Sequence, residues 1–240
     1  MSLGPPSGST PGWLIDESSF AGRENLDTAH VERYDSKEDA DAGSEVALLE
    51  RAGLAKDSLV IEFGPGTGQF TVEVARACGR IIAVDVSTPM LARLASKIEE
   101  LGLRNVELIH AGFLTYRHLG EPADFIYSRL ALHHLPDFWK ALALSQLRLM
   151  LREGGVMRLC DVVYNFDPGE AEERIEAWCA SGGETVEAEW SRAELEEHVR
   201  DEHSTFTWLL EPMIERCGFQ IVTAEHSEDG IFAGYLLRGV

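Results

Sequence analysis

Apolar residues in the middle of the chain come in short unbroken runs, separated by stretches with helical spacing. Leu59-Val60-Ile61-Glu62-Phe63 stops at Gly64, and Ile81–Asp85, Val106–Ile109, Asp124–Ser128 and Gly155–Cys160 are further runs of the same kind. Runs this short and this apolar predict strands covered on both faces. Between them, Met90, Leu91, Leu94, Ile98 and Leu101 share one helical face, and Ser87-Thr88-Pro89 provides a good helix start. Phe138, Trp139, Leu142, Leu149 and Met150 mark another helix over 137–151, and Ala42, Val46, Leu49 and Ala52 mark one within 36–52. The alternation predicts an α/β fold, a mostly parallel sheet with helices on both faces.

After Asp167 the rhythm changes. Residues 170–202 hold twelve acids and three arginines around a few large apolar anchors, including Trp178 and Trp190. That pattern predicts a helical cap insert over about 165–210, with its charged faces in water. Phe206, Leu209, Leu210, Met213, Ile214 and Cys217 then line one face of a helix ended by Gly218. Phe219–Ala224 and Ile231–Leu237 flank Ser227-Glu228-Asp229-Gly230, which predicts a hairpin with an Asp-Gly turn. Residues 1–12 are dominated by Pro, Gly and Ser and predict a disordered tail. The expected organisation is that tail, a lead-in and helix over 13–52, and one domain over 53–240.

Composition narrows the function. Acids outnumber bases 41 to 21, a formal charge of −20. A field of that sign repels phosphate backbones and argues against a nucleic-acid partner. No stretch approaches the roughly 18 apolar residues of a membrane span, and no secretory signal is visible. Cys78, Cys160, Cys179 and Cys217 form no CxxC pair, which fits a reducing cytoplasm and no zinc or disulfide framework.

The chemistry-bearing segment is Glu62-Phe-Gly64-Pro65-Gly66-Thr67-Gly68, between a strand and a helix. Glycines there let the chain turn sharply and let a ligand approach the backbone. The first strand-to-helix turn of an open parallel sheet sits where ligands bind. The spacing is GxGxG rather than the GxGxxG of dinucleotide sites. Glu62 stands two residues before the first glycine, which favours a ligand with a free ammonium group over a pyrophosphate. Asp85 ends the next strand, placed to accept hydrogen bonds from the two hydroxyls of a ribose.

With Ala83-Val-Asp85-Val-Ser-Thr-Pro-Met90, Ala111-Gly112-Phe113, Asp124-Phe-Ile-Tyr-Ser128, Leu132-His-His-Leu-Pro136 and Leu151-Arg-Glu-Gly-Gly-Val156, the sequence resembles the class I S-adenosylmethionine-dependent methyltransferases of the small-molecule, type-11-like branch. The likeness covers residues 55–164 and, more loosely, the last helix and hairpin. It implies a Rossmann-like seven-stranded sheet with an antiparallel last strand, and S-adenosyl-L-methionine as cofactor. It implies that Gly64, Pro65, Gly66, Thr67 and Gly68 wrap the methionine part, and that Glu62 helps place it. Asp85 would hold the ribose, Val86 and Met90 would pack near the adenine, and Gly112 and Phe113 would line its pocket. The family often has an acid just after that glycine, and Phe113 departs from this. Ser128, Arg129 and Leu130 would lie beside the sulfonium, and Tyr34 would belong to a segment folded over the cofactor.

His133 is the candidate proton acceptor, because histidine titrates near neutrality; packing and loop capping by His133 and His134 is the competing role. A metal site at this pair is not expected: adjacent residues point apart and no third ligand is evident. His198 and His203 are five apart and do not share a helix face. Trp178, Trp190, Phe206 and Trp208 are expected mainly in the core, with one or two available to the substrate pocket. The expected activity is in-line methyl transfer to a small-molecule acceptor. The rivals are a cofactor-binding protein without turnover, an enzyme that modifies the cofactor itself, and, least favoured, a nucleic-acid methyltransferase.

Overall fold

The computed structural model describes residues 11–22, 41–183 and 190–240. Strands β1 (Leu59–Phe63), β2 (Arg80–Asp85), β3 (Val106–His110), β4 (Ala123–Arg129), β5 (Leu151–Tyr164), β7 (Phe219–His226) and β8 (Phe232–Gly239) make a sheet of order β3-β2-β1-β4-β5-β8-β7. β8 runs antiparallel to both β5 and β7, as expected for the last strand. A two-residue strand, β6 (Thr205–Phe206), pairs with the far end of β5.

The apolar runs are continuous because both faces are covered. In β1, Val60 packs with Val46 and Leu49 of α1 (Ala42–Arg51) and Phe70 and Val74 of α2 (Gln69–Val74). The next residue, Ile61, packs on the opposite face with Ala143, Leu144 and Leu147 of α4 (Asp137–Met150) and Leu210 and Ile214 of α7 (Thr207–Arg216). Phe125 and Ile126 divide β4 between the two cores in the same way. α3 (Thr88–Leu101) begins as predicted: Ser87 Oγ accepts the Met90 N–H at 3.2 Å, and Pro89 sits in the first turn. Arg158 of β5 grips Glu45 of α1 through two hydrogen bonds of 2.9 Å, a buried fork that ties helix to sheet.

Two elements differ from the sequence expectation. β5 is longer at both ends than Gly155–Cys160. The Gly154-Gly155 pair sits in an irregularity of the β4–β5 register, between Ala123 and Phe125, where Gly154 has φ 69°. The far extension, Asp161–Tyr164, carries β6 and the cap. Phe206 belongs to β6 rather than to the helix, and Leu209 is exposed.

The cap is α5 (Ala171–Ser181) and α6 (Arg192–Asp201), the latter with a full capping box between Ser191 and Glu194. Ile175, Trp178 and Phe206 pack on Val162, Tyr164 and Ile231. At the other end of the chain, Leu14 and Ile15 pack on the main core and Trp13 stacks on Trp139 at 5.9 Å, so the lead-in lies against the domain. The expected tail, 1–12, and residues 23–40, with Tyr34, fall wholly or almost wholly outside the described residues.

Candidate active site

The loops after β1, β2, β3 and β4 line an open cavity at the carboxyl ends of the strands. Gly64 and Gly66 have φ of 71° and 54°, a region costly for residues with a Cβ. A Cβ on Gly64 would stand 2.5 Å from Ala131 Cβ, and one on Gly68 would stand 2.2 Å from Leu94 Cδ1. These two glycines therefore let the loop close on its neighbours, while Gly64 and Gly66 also present bare backbone to the cavity.

Asp85 is buried at the end of β2. Its Oδ1 accepts the Ser87 N–H at 2.7 Å and its Oδ2 the Gly66 N–H at 3.3 Å, so one carboxylate braces the glycine loop. Burial pushes it up to about 6, opposed by those two N–H groups. Glu62 accepts the Thr71 hydroxyl at 2.6 Å. Burial pushes its carboxyl up to about 8, with the Thr71 bond opposing and the Asp85 charge adding.

Opposite Asp85 the wall comes from a distant part of the chain. Glu17, in a short 3-10 turn, accepts the Leu114 N–H at 3.1 Å with both oxygens and the Thr115 hydroxyl at 3.2 Å. Its carboxyl occupies the space a side chain on Gly112 would fill, since a Cβ there would stand 2.3 Å from Oε1. Burial raises its pKa, against the Leu114 and Thr115 bonds. Sequence reasoning missed Glu17, because no local spacing joins it to a glycine so far along the chain.

The cavity is completed by Phe63, Val84, Val86, Phe113, Arg129, Leu130, Ala131, His134 and Leu135, with Ala21 from the lead-in. Leu130 has φ 49°, an uncommon conformation for a residue with a branched side chain, and donates its N–H to Cys160 O at 2.9 Å. That turn swings the chain from β4 across the cavity wall.

Of the expected cofactor residues, Gly64, Gly66, Asp85, Val86, Gly112, Phe113, Arg129 and Leu130 meet at this cavity. Glu62, Pro65, Thr67, Gly68, Met90 and Ser128 are buried and are not among its described lining residues. They back the loop rather than face the space. Tyr34 lies outside the described residues. Trp178, Trp190, Phe206 and Trp208 are likewise not among the lining residues; Trp208 is exposed and stacks on Phe206 at 5.5 Å.

The histidine pair requires a correction. His133 is the buried member, with Nδ1 hydrogen-bonded to Asp161 and Nε2 2.9 Å from Glu202 Oε2. Burial alone would lower its pKa, but the Asp161 charge and hydrogen bond, with Glu202, raise it to about 10. Both of its ring nitrogens thus face carboxylates, and His133 is not among the described residues that line the cavity. His134 faces the cavity instead, and burial together with the His133 charge lowers it to about 3. Among the described residues, the donor atoms of His133 and of cap residues His198 and Glu202 lie within 4.8 Å of one another, and His134 is outside that group. Among the described residues, no helix is long and apolar enough to cross a membrane.

Comparison with known proteins agrees with this geometry. The family described as "Methyltransferase domain" matches residues 60–155. An uncharacterized methyltransferase of Anoxybacillus flavithermus is 31% identical over 174 residues, covering 72% of this chain and 73% of the relative. An rRNA adenine N-6-methyltransferase of Aeromicrobium erythreum is 34% identical over 79 residues, covering 33% of this chain and 23% of the relative. The magnesium protoporphyrin IX methyltransferase of Synechocystis PCC 6803, solved with bound SAH, superposes with a TM-score of 0.64 at 14% identity. That match covers 94% of this chain and all of that one (100%).

Proposed function

We propose, for a chain that belongs to the class I S-adenosylmethionine-dependent methyltransferases, that the acceptor is a small molecule bound between the cofactor and the wall formed by Arg129, Leu130, Ala131, His134 and Leu135. The observation that carries this reading is the lining of the cavity: Glu17 and Ala21 of the lead-in stand beside the loops at the carboxyl ends of the strands and narrow the access to them. A duplex or a folded RNA would need that side open, and a formal charge of −20 works against its approach.

The residues fit the cofactor. Bare backbone at Gly64 and Gly66 leaves room for the methionine part, and buried Glu62 behind the loop favours a nearby ammonium. Asp85 keeps acceptor capacity for two ribose hydroxyls while bracing Gly66. Val86 and Phe113 offer apolar surface for adenine, and Glu17 offers its amine a carboxylate. S-adenosylmethionine, when bound, supplies a methyl group already activated for displacement. The protein's part is then to align the acceptor and exclude water. His134, neutral because it is buried beside His133, accepts a hydrogen bond from the acceptor without holding its proton.

The test is methyl transfer from labelled cofactor to two pools, one of small phenols, amines, thiols and carboxylates, the other of total RNA. Label in a small-molecule pool, abolished by Gly66→Val, is the expected result. Label in RNA alone would overturn the acceptor class. Tight cofactor binding with no transfer to any acceptor would favour a sensing or scaffolding role.

A further inference from the structure

Beyond the cofactor cavity, the turn after β4 and the end of cap helix α6 bring several donor atoms to one buried point. Glu202 Oε2 lies 2.9 Å from His133 Nε2, 2.5 Å from His198 Nδ1 and 3.9 Å from His134 Nδ1. The donor atoms of His133, His198 and Glu202 all lie within 4.8 Å of one another. These contacts are close without being aligned as hydrogen bonds: Glu202 Oε2 and His134 Nδ1 are both buried and have no hydrogen-bond partner. Buried polar atoms are seldom left so. Two imidazole nitrogens and a carboxylate oxygen gathered this closely are satisfied together by a cation placed among them.

The outer side of the cluster supports this. His133 Nδ1 is hydrogen-bonded to Asp161, and His198 Nε2 to Ser204 Oγ at 2.9 Å. Asp161 is fixed in turn by the N–H groups of Leu132, His133 and Val162 at 2.9, 3.1 and 2.8 Å. Metal-ligating imidazoles are oriented in this way, with the second ring nitrogen held by a carboxylate or another acceptor. Zinc bonds of ~2.0–2.1 Å in a tetrahedron set donors roughly 3.3 Å apart, and the separations above bracket that value. Imidazoles with a single carboxylate suit zinc-like ions, whereas magnesium and calcium prefer all-oxygen sites.

We propose that His133, His198 and Glu202 bind one zinc-class divalent cation that clamps the cap onto the wall of the active site. The rest of the contact is consistent with a clamp. Next to the cluster, the His203 N–H donates to His133 O at 2.9 Å, and buried Lys140 donates to His203 O and to Asp137 at 2.8 Å. Three protein ligands fill three corners of a tetrahedron and leave the fourth to water. The rival is a metal-free cluster of imidazoles and carboxylates.

The experiment uses the full chain, stripped with chelator and titrated with Co²⁺ and then Zn²⁺. The expected result is one ion per chain, intense visible Co²⁺ bands typical of tetrahedral nitrogen and oxygen ligands, and a zinc-dependent rise in Tm. His198→Ala and Glu202→Gln should lose about a hundredfold or more in affinity. Asp161→Asn, which loosens the His133 ring, should lose roughly ten- to a hundredfold. Binding of the cofactor product shows that each variant is folded. No saturable one-to-one binding by the wild-type chain, a pale octahedral Co²⁺ spectrum, or unchanged affinity in folded Glu202→Gln would each establish the ion-pair cluster instead.

Discussion

Replacing Asp85 by alanine removes the one carboxylate that both faces the cavity and braces the glycine loop. A hydrogen bond to a charged group contributes about 1.5–3 kcal/mol. Loss of the ribose contacts alone therefore weakens the cofactor product roughly ten- to a hundredfold. The Gly66 N–H, 3.3 Å from Oδ2, also loses its acceptor, which pushes the loss toward the upper end. Burial holds the Asp85 pKa at about 6 in the cofactor-free protein. Two ribose hydroxyls favour the ionised form, so binding lowers that pKa. Affinity is then greatest above pH 6 and falls as the pH drops below it. Glu17 and Glu62, also raised by burial, add their own steps, so the pH series belongs in a Glu17→Gln, Glu62→Gln background. Calorimetry with the cofactor product over pH 5–8 should show the step with Asp85 present and a flat profile with Asp85→Ala. A loss under about threefold, or an unchanged step in the alanine variant, would refute the ribose assignment.

Gly66→Val should fold, by circular dichroism, yet lose most cofactor affinity, because valine cannot adopt a φ of 54° without strain and puts a side chain into the cavity; calorimetry checks this. Glu17→Ala should weaken the cofactor product by about three- to thirtyfold, a single charge-assisted contact, with less effect on an analogue lacking the adenine amine; equal losses for both ligands would limit Glu17 to holding the Leu114 loop. Burial raises the Glu62 carboxyl to about 8, well above the ordinary carboxylate range, so its contribution to stability is full below the unfolded value and is lost as pH rises toward 8. Urea unfolding of wild type and Glu62→Gln at pH 5 and 9 should therefore show the glutamine variant gaining relative stability at the higher pH. Hydrogen exchange should show residues 11–22 better protected with the cofactor product bound, and equal protection in both states would mean the lead-in is a fixed wall.

Much of the sheet was legible because its signal is local. Strands buried on both faces must be short and apolar throughout, and Gly64, Asp85 and Pro89 mark where they give way to loops and helices. The half of the site built on those loops followed from the same marks. The rest depends on contacts between distant positions. Glu17 reaches Leu114 across 97 residues, and a lone glutamate in a charged lead-in carries no signature of that. The two histidines looked alike in sequence; only the approach of Asp161 and α6 separates the cavity-facing ring from the one held by carboxylates. His198 seemed a poor ligand when paired with His203, yet Glu202, four positions on, shares its helical side. The extension of β5 past Cys160 begins with a charged residue, Asp161, and pairs first with β8 and then with the two residues of β6, contacts that no local pattern announces.

The Glu17 contact also bears on how the protein matures during synthesis. Its partner at Leu114 is made 97 residues later. At the usual ~5–20 residues per second, about 5–20 s pass on the ribosome before the two can meet. The strands that hold the glycine loop and Asp85 are largely made in that interval, while the lead-in has nothing to dock against. The lead-in is thus made well before its partner, and Glu17 can brace the wall beside Gly112 only once the loop after β3 has followed it.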